Sequence, residues 1–172
     1  MNHCLRNPKL KMHPEIPVYG DTSWRGNCPT ETAEQVTFFQ WIRMQYPHSY
    51  GLIAIHPRNE GKRHYSQTIM QKAEGMTTGA PDIIVPGNPT FLCELKRRDH
   101  TKSAWQDGQQ EYLLAAKEAG CVVGVALGWE AARGFFLGYV QDHASPNPAP
   151  SRSPSDAVAQ YCYRRVAIFG MR

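Results

Sequence analysis

Gly79-Ala80-Pro81-Asp82-Ile83-Ile84-Val85-Pro86-Gly87-Asn88-Pro89-Thr90-Phe91-Leu92-Cys93-Glu94-Leu95-Lys96 is the stretch from which the fold is read. Both ends are short apolar runs rich in β-formers, and Pro86 to Thr90 is built of turn residues, so the pattern predicts two antiparallel strands joined by a turn. With the turn centred on Asn88, position 82 faces position 94. Directly opposed residues have Cβ atoms about 5 Å apart, and two carboxylates so placed repel each other. A divalent cation offsets that cost, because hard ions such as magnesium take carboxylate and carbonyl oxygens. Alternation along the strand puts Lys96 on the face of Glu94. Ile84 and Leu92 share that face, while Ile83, Val85, Phe91, Cys93 and Leu95 take the other. Taken singly, Pro-Asp is a common turn and Glu-x-Lys a solvated strand edge with a weak ion pair. Together, on a sheet apolar on both faces, the two acids are expensive without a counterion, and a metal site is the expectation.

Working outward, 172 residues with 41% hydrophobic content suffice for one core and are short for two. Lys and Arg exceed Asp and Glu by only 19 to 15, but the excess is concentrated. Arg58, Lys62, Arg63, Lys72, Lys96, Arg97, Arg98 and Lys102 flank the hairpin, which points to a phosphate backbone as partner rather than a merely solvated basic surface. Five cysteines without a Cys-x-x-Cys pair fit reduced thiols in a cytoplasmic protein. No apolar run has the length of a membrane span and no secretory signal is visible, so no membrane partner is expected.

Residues 1–28 show no periodicity and are expected to form an arm rather than an element. From Glu31 to Tyr46 apolar residues recur at helical spacing, with Thr30 or Thr32 as cap. Traced backwards, the stripe of Ile42 and Phe38 leads to Gln35 and Glu31, with Glu34 off to one side. Gly51 to His56 reads as a strand, Tyr65 to Glu74 as a short helix, and Thr101 or Ser103 as the start of a helix to Ala119 with Ser103 and Gln106 as a capping box. Cys121 to Leu127 reads as a strand and Trp129 to Val140 as a helix. Residues 141–172 form a Pro/Ser-rich linker and a terminal segment in which Tyr161 to Phe169 offers an edge strand. This order predicts an α/β protein: a central mixed sheet with helices on both sides, the main domain spanning residues 29–140.

The constellation resembles the PD-(D/E)xK nucleases with a restriction-endonuclease-like α/β/α core, and more closely their VRR-NUC branch, over about Glu31 to Val140. The resemblance rests on Glu31 and Gln35 in the first helix, the polar turn Asn59-Glu60-Gly61-Lys62-Arg63, and Lys72 and Gly75. Its core is Gly79-x-Pro81-Asp82 with Glu94-x-Lys96, followed by Gln109, Tyr112 and Gly120. The turn departs from the pattern, since His56-Pro57-Arg58-Asn59 stands where the branch tends to run proline directly into asparagine. Glu34 also competes with Glu31 for the first acidic role.

The resemblance implies a magnesium-dependent deoxyribonuclease, with manganese as substitute, of bacterial or phage-infected cytoplasm and often homodimeric. Asp82, Glu94 and the main-chain carbonyl of Leu95 would hold the metal. Lys96 would orient the attacking water and offset transition-state charge, Glu31 would serve a water or a second ion, and Gln109 would hold the lysine or the water. Asn59, Lys62, Arg63, Lys72, Arg97 and Arg98 are the candidate nucleic-acid contacts. Branched or four-way-junction DNA is the first expectation for substrate. Sequence-specific or flap cleavage, and an idle nucleic-acid-binding relative, remain alternatives.

Overall fold

The computed structural model describes residues 11–57 and 73–143. Asn59, Lys62, Arg63 and Lys72, most of the expected helix from Tyr65 to Glu74, and the expected edge strand at Tyr161 to Phe169 lie outside them. Four strands, β1 (Val18–Tyr19), β2 (Ile83–Val85), β3 (Phe91–Lys96) and β4 (Val122–Leu127), form one sheet in the order β1-β4-β3-β2. β4 runs parallel to both β1 and β3, and β2 closes the edge antiparallel to β3. The hairpin register is the expected one: Ile83 faces Cys93, Ile84 faces Leu92 and Val85 faces Phe91, which centres the connection on Asn88.

The alternation along β3 divides the core. Phe91, Cys93 and Leu95 pack with Ile83 and Val85 beneath helices α1 (Glu31–Gln45) and α4 (Trp129–His143). Those helices reach the sheet through Phe38, Phe39 and Ile42, and through Ala132, Phe135, Phe136 and Tyr139, each set at helical spacing. Phe136 is fully buried and meets Phe38, Trp41, Tyr46, Tyr50 and Phe91 edge-on. On the opposite face Leu92, Val123 and Val125 pack against Ile16 and Leu113, the latter from α3 (Gln109–Glu118). Helices thus cover both faces, and the expected α/β sandwich with a mixed sheet is what the chain forms. No helix of the described residues is long and apolar enough to cross a membrane.

Three expectations about local structure need correction. The N-terminal stretch is not a bare arm: β1 pairs with β4, Ile16 is core, and Cys28 is buried. The turn at Asp99–Lys102 clasps it, with Asp99 Oδ2 accepting the Gly26 N–H and Lys102 Nζ donating to Gly26 O. Tyr50–Ile53 is the short helix α2 rather than a strand, because the Gly51 N–H donates back to Tyr46 O and Tyr50 joins the aromatic cluster. Only Ile55 keeps strand pairing, as an isolated antiparallel bridge to Ile84. The helix expected from Thr101 or Ser103 starts at Gln109, preceded by a 3-10 turn at His100–Lys102. Gly108 is left-handed with φ of 83°, and it packs so tightly on Gly79 that a Cβ on Gly79 would stand 2.2 Å from its carbonyl carbon. That contact fixes the 103–108 loop against the hairpin and delays the helix.

Candidate active site

β2 begins at Ile83, and the residue before it uses its side chain where a strand would use backbone. Asp82 Oδ2 accepts the Leu95 N–H at 3.0 Å. The Asp82 carbonyl accepts from Gln35 Nε2 at 3.3 Å and lies 2.9 Å from His56 Nδ1. Elements α1, the Ile55 bridge and β3 therefore all meet at this residue. One further step of the hairpin register sets Asp82 opposite Glu94.

Glu94 is almost completely buried, 1% exposed. Burial and the neighbouring Asp82 charge push its pKa up to about 8, against the opposing pull of Lys96. Burial also raises Asp82, partly countered by the Leu95 N–H. Lys96 Nζ stands 2.8 Å from Glu94 Oε1. Lys96 is thus the partner of Oε1, while Oε2 has no hydrogen-bond partner among the described residues. Buried carboxylate oxygens without donors are rare because they forgo their hydration.

Lys96 is equally enclosed. Its ammonium donates to Ala104 O at 2.9 Å and to Gln109 Oε1 at 3.1 Å, and sits 5.1 Å from the Trp105 ring centroid. Gln109, the first residue of α3, also accepts the Gln106 N–H at 2.9 Å, so the displaced helix start is what aims its amide at Lys96. Ser103 is not a helix cap but a link: its Oγ accepts the Arg97 N–H at 3.0 Å and donates to Glu31 Oε1. Ser103, Trp105 and His56 are site residues that spacing did not reveal, because each arrives on a loop folded by contacts distant in sequence.

The two acids of the first helical turn diverge. Glu31 turns toward Ser103, and its charge is felt by Asp82 and Glu94. Glu34 is buried and its Oε2 accepts the Trp129 N–H at 2.9 Å, capping α4. Arg97 is bound inward, Nη2 donating to Cys28 O at 2.8 Å. Arg98 is half exposed over the Trp24 ring, with its guanidinium carbon 4.8 Å from the centroid.

Among the described residues no three His, Cys, Asp or Glu side chains form a metal-ready cluster. The donor set is a carboxylate pair beside main-chain oxygens. It fits a hard divalent cation nonetheless, since a buried acid with one partnerless oxygen, facing a second acid, is what such an ion would satisfy.

No protein-family model matches the chain, and no curated protein matches it. Among solved structures, a chain described as a VRR_NUC domain protein shares the fold, with a TM-score of 0.54 and 19% identity over 69% of this chain and 92% of that one. The α/β fold expected from the hairpin is therefore one that this chain shares with a VRR_NUC domain protein.

Proposed function

We propose that the protein is a metal-dependent endonuclease that hydrolyses phosphodiester bonds in DNA. The observation that carries the reading is the buried pair Asp82 and Glu94, with Lys96 2.8 Å from one Glu94 oxygen and the other oxygen without a partner among the described residues, in a fold shared with a VRR_NUC domain protein. Asp82, Glu94 and the main-chain carbonyl of Leu95 are oxygen donors of the kind magnesium or manganese takes. When bound, that ion supplies Lewis-acid polarisation of the phosphoryl group and lowers the pKa of water.

The chain's own residues supply the rest. Lys96 is held in one orientation by Ala104 O and Gln109 Oε1, so its positive charge stands ready beside the developing negative charge of the phosphoryl group. Glu31, fixed by Ser103, offers an acceptor for a water at the edge of the pair. Arg98, half exposed over Trp24 with only a loose pairing to Glu130, is a candidate phosphate contact, whereas Arg97 holds the N-terminal segment.

A magnesium-dependent nicking assay on plasmid, single-stranded and four-way-junction DNA, with a chelator control, tests the reading. Cleavage that requires the ion and disappears in Glu94→Ala and Lys96→Ala supports it. A purified, folded protein inactive on all three substrates overturns it in favour of a nucleic-acid-binding role.

A further inference from the structure

A separate cavity of about 210 Å³ opens between the first turn of α1, the start of α4 and residues 24–29, lined among others by Trp24, Glu34, Arg98, Gly128 and Trp129. It adjoins the candidate active site. The Gly128 N–H donates to Lys96 O at 2.8 Å, and Arg98 follows Lys96 by two residues. Its volume lies below the range of roughly 300–1,000 Å³ typical of pockets for drug-sized ligands, so a single ring system is the natural occupant.

Glu34 decides the chemistry. It is only 3% exposed, yet capping α4 uses one of its oxygens. Oε1 accepts no hydrogen bond from the described residues, and it lies 3.5 Å from where a Cβ on Gly128 would stand. Gly128 itself has a left-handed φ of 87°, which favours glycine at this corner. The helix cap uses Oε2 and leaves Oε1 as an acceptor on the cavity wall. A carboxylate oxygen is an acceptor, so a ligand that brings a donor suits this wall.

The walls add a second requirement. Trp24 and Trp129 are half-buried indoles, and the Arg98 guanidinium lies over the Trp24 ring. Planar guanidinium and indole surfaces are platforms on which nucleobases stack. Arg98 and Glu130 are 3.6 Å apart and largely exposed, a contact too weak to keep Arg98 from a ligand.

We propose that this cavity is a subsite for one unpaired nucleobase bearing an exocyclic amino group, stacked on the indole and guanidinium walls with its amine donating to Glu34. The assignment rests on the nuclease reading for its place beside the scissile phosphate, but not for its chemistry. Cytosine presents an amine where thymine presents a keto oxygen, whose lone pairs would face those of the carboxylate. The subsite therefore selects for cytosine over thymine.

Fluorescence anisotropy of the full chain with short oligo-dC and oligo-dT, in chelator so that binding is isolated from cleavage, tests this. Oligo-dC is expected to bind roughly fivefold more tightly, the scale of one hydrogen bond. Glu34→Gln keeps a capping oxygen but places an amide donor in the cavity, and should abolish or reverse that ratio. Trp24→Ala, remote from the cap, should weaken both oligonucleotides by roughly tenfold, and it decides the matter if the glutamate variant does not fold. Equal affinities in the wild type, a ratio unmoved by Glu34→Gln, or unchanged binding in Trp24→Ala overturns the subsite. Base preference without magnesium-dependent cleavage overturns the nuclease reading alone, and cleavage without base preference overturns the subsite alone.

Discussion

Asp82 Oδ2 accepts the Leu95 N–H at 3.0 Å, so one carboxylate both ends a strand pairing and faces the candidate metal site. The two roles separate on substitution. Asp82→Asn retains an oxygen acceptor for Leu95, and its thermal midpoint should stay near that of the wild type while magnesium affinity by calorimetry falls at least tenfold. Asp82→Ala loses both, and the orphaned N–H should cost a further 1–3 kcal/mol, roughly, in urea unfolding. Unchanged magnesium affinity in Asp82→Asn would remove this residue from the site.

The raised pKa of Glu94 makes stability depend on pH in a sense opposite to an ordinary paired acid. Its folded value of about 8 lies above the 4.5 of a free glutamate. Between those values the folded protein keeps a proton that the unfolded chain has released, so stability is full at low pH and is lost as pH rises toward 8. The slope is at most about 1.4 kcal/mol per pH unit for this group, and Asp82, raised as well, acts in the same direction. Metal-free urea midpoints should therefore fall across that window, and Glu94→Gln should flatten the trend. Saturating magnesium should lift the midpoint most at the alkaline end, where the pair is ionised. A metal-free midpoint that rises from about pH 5 to about pH 8 would contradict the burial assigned to Glu94.

The hairpin was legible because its information is local: turn residues centre it on Asn88, and alternation alone places Glu94 and Lys96 together. The stripe of Phe38 and Ile42 was legible for the same reason, and of the two candidate caps, Thr30 and Thr32, it is Thr30 whose Oγ1 accepts the Ala33 N–H. What escaped depends on partners far along the chain. Val18 and Tyr19 form a strand only because β4 offers a parallel edge more than a hundred residues later. The late start of α3 depends on Gly79 meeting Gly108, and nothing in the run from Ser103 to Gln109 announces it. The stripe favoured Glu31 and set Glu34 to one side, yet Glu34 is the buried one of the two, because spacing cannot see what each meets: Ser103 for Glu31, the Trp129 N–H for Glu34.

That division is testable by metal affinity. Glu31→Gln should weaken magnesium or manganese binding severalfold, because it removes a charge felt by both Asp82 and Glu94. Glu34→Gln should leave metal affinity unchanged, while Glu34→Ala should lower stability by about 0.5–2 kcal/mol through loss of the α4 cap. Calorimetry and urea unfolding on the same preparations read the two effects separately. A fall in metal affinity in Glu34→Gln as large as that in Glu31→Gln would return the choice between them to the open.

Gln109 is the final case, since its Oε1 accepts from both Lys96 Nζ and the Gln106 N–H. Gln109→Ala leaves the ammonium with Ala104 O and the Glu94 ion pair, and frees the 103–108 loop from the start of α3. Loss of orientation at Lys96 acts on the reaction step more than on substrate capture, so kcat should drop roughly tenfold or more with KM nearly unchanged. Gln109→Glu keeps an acceptor for both donors and should recover part of the rate. A purely structural role predicts instead that both variants lose activity in proportion to the fraction unfolded. Active-site titration alongside circular dichroism distinguishes the two, and a kcat per folded molecule equal to wild type in Gln109→Ala would take Gln109 out of the positioning of Lys96.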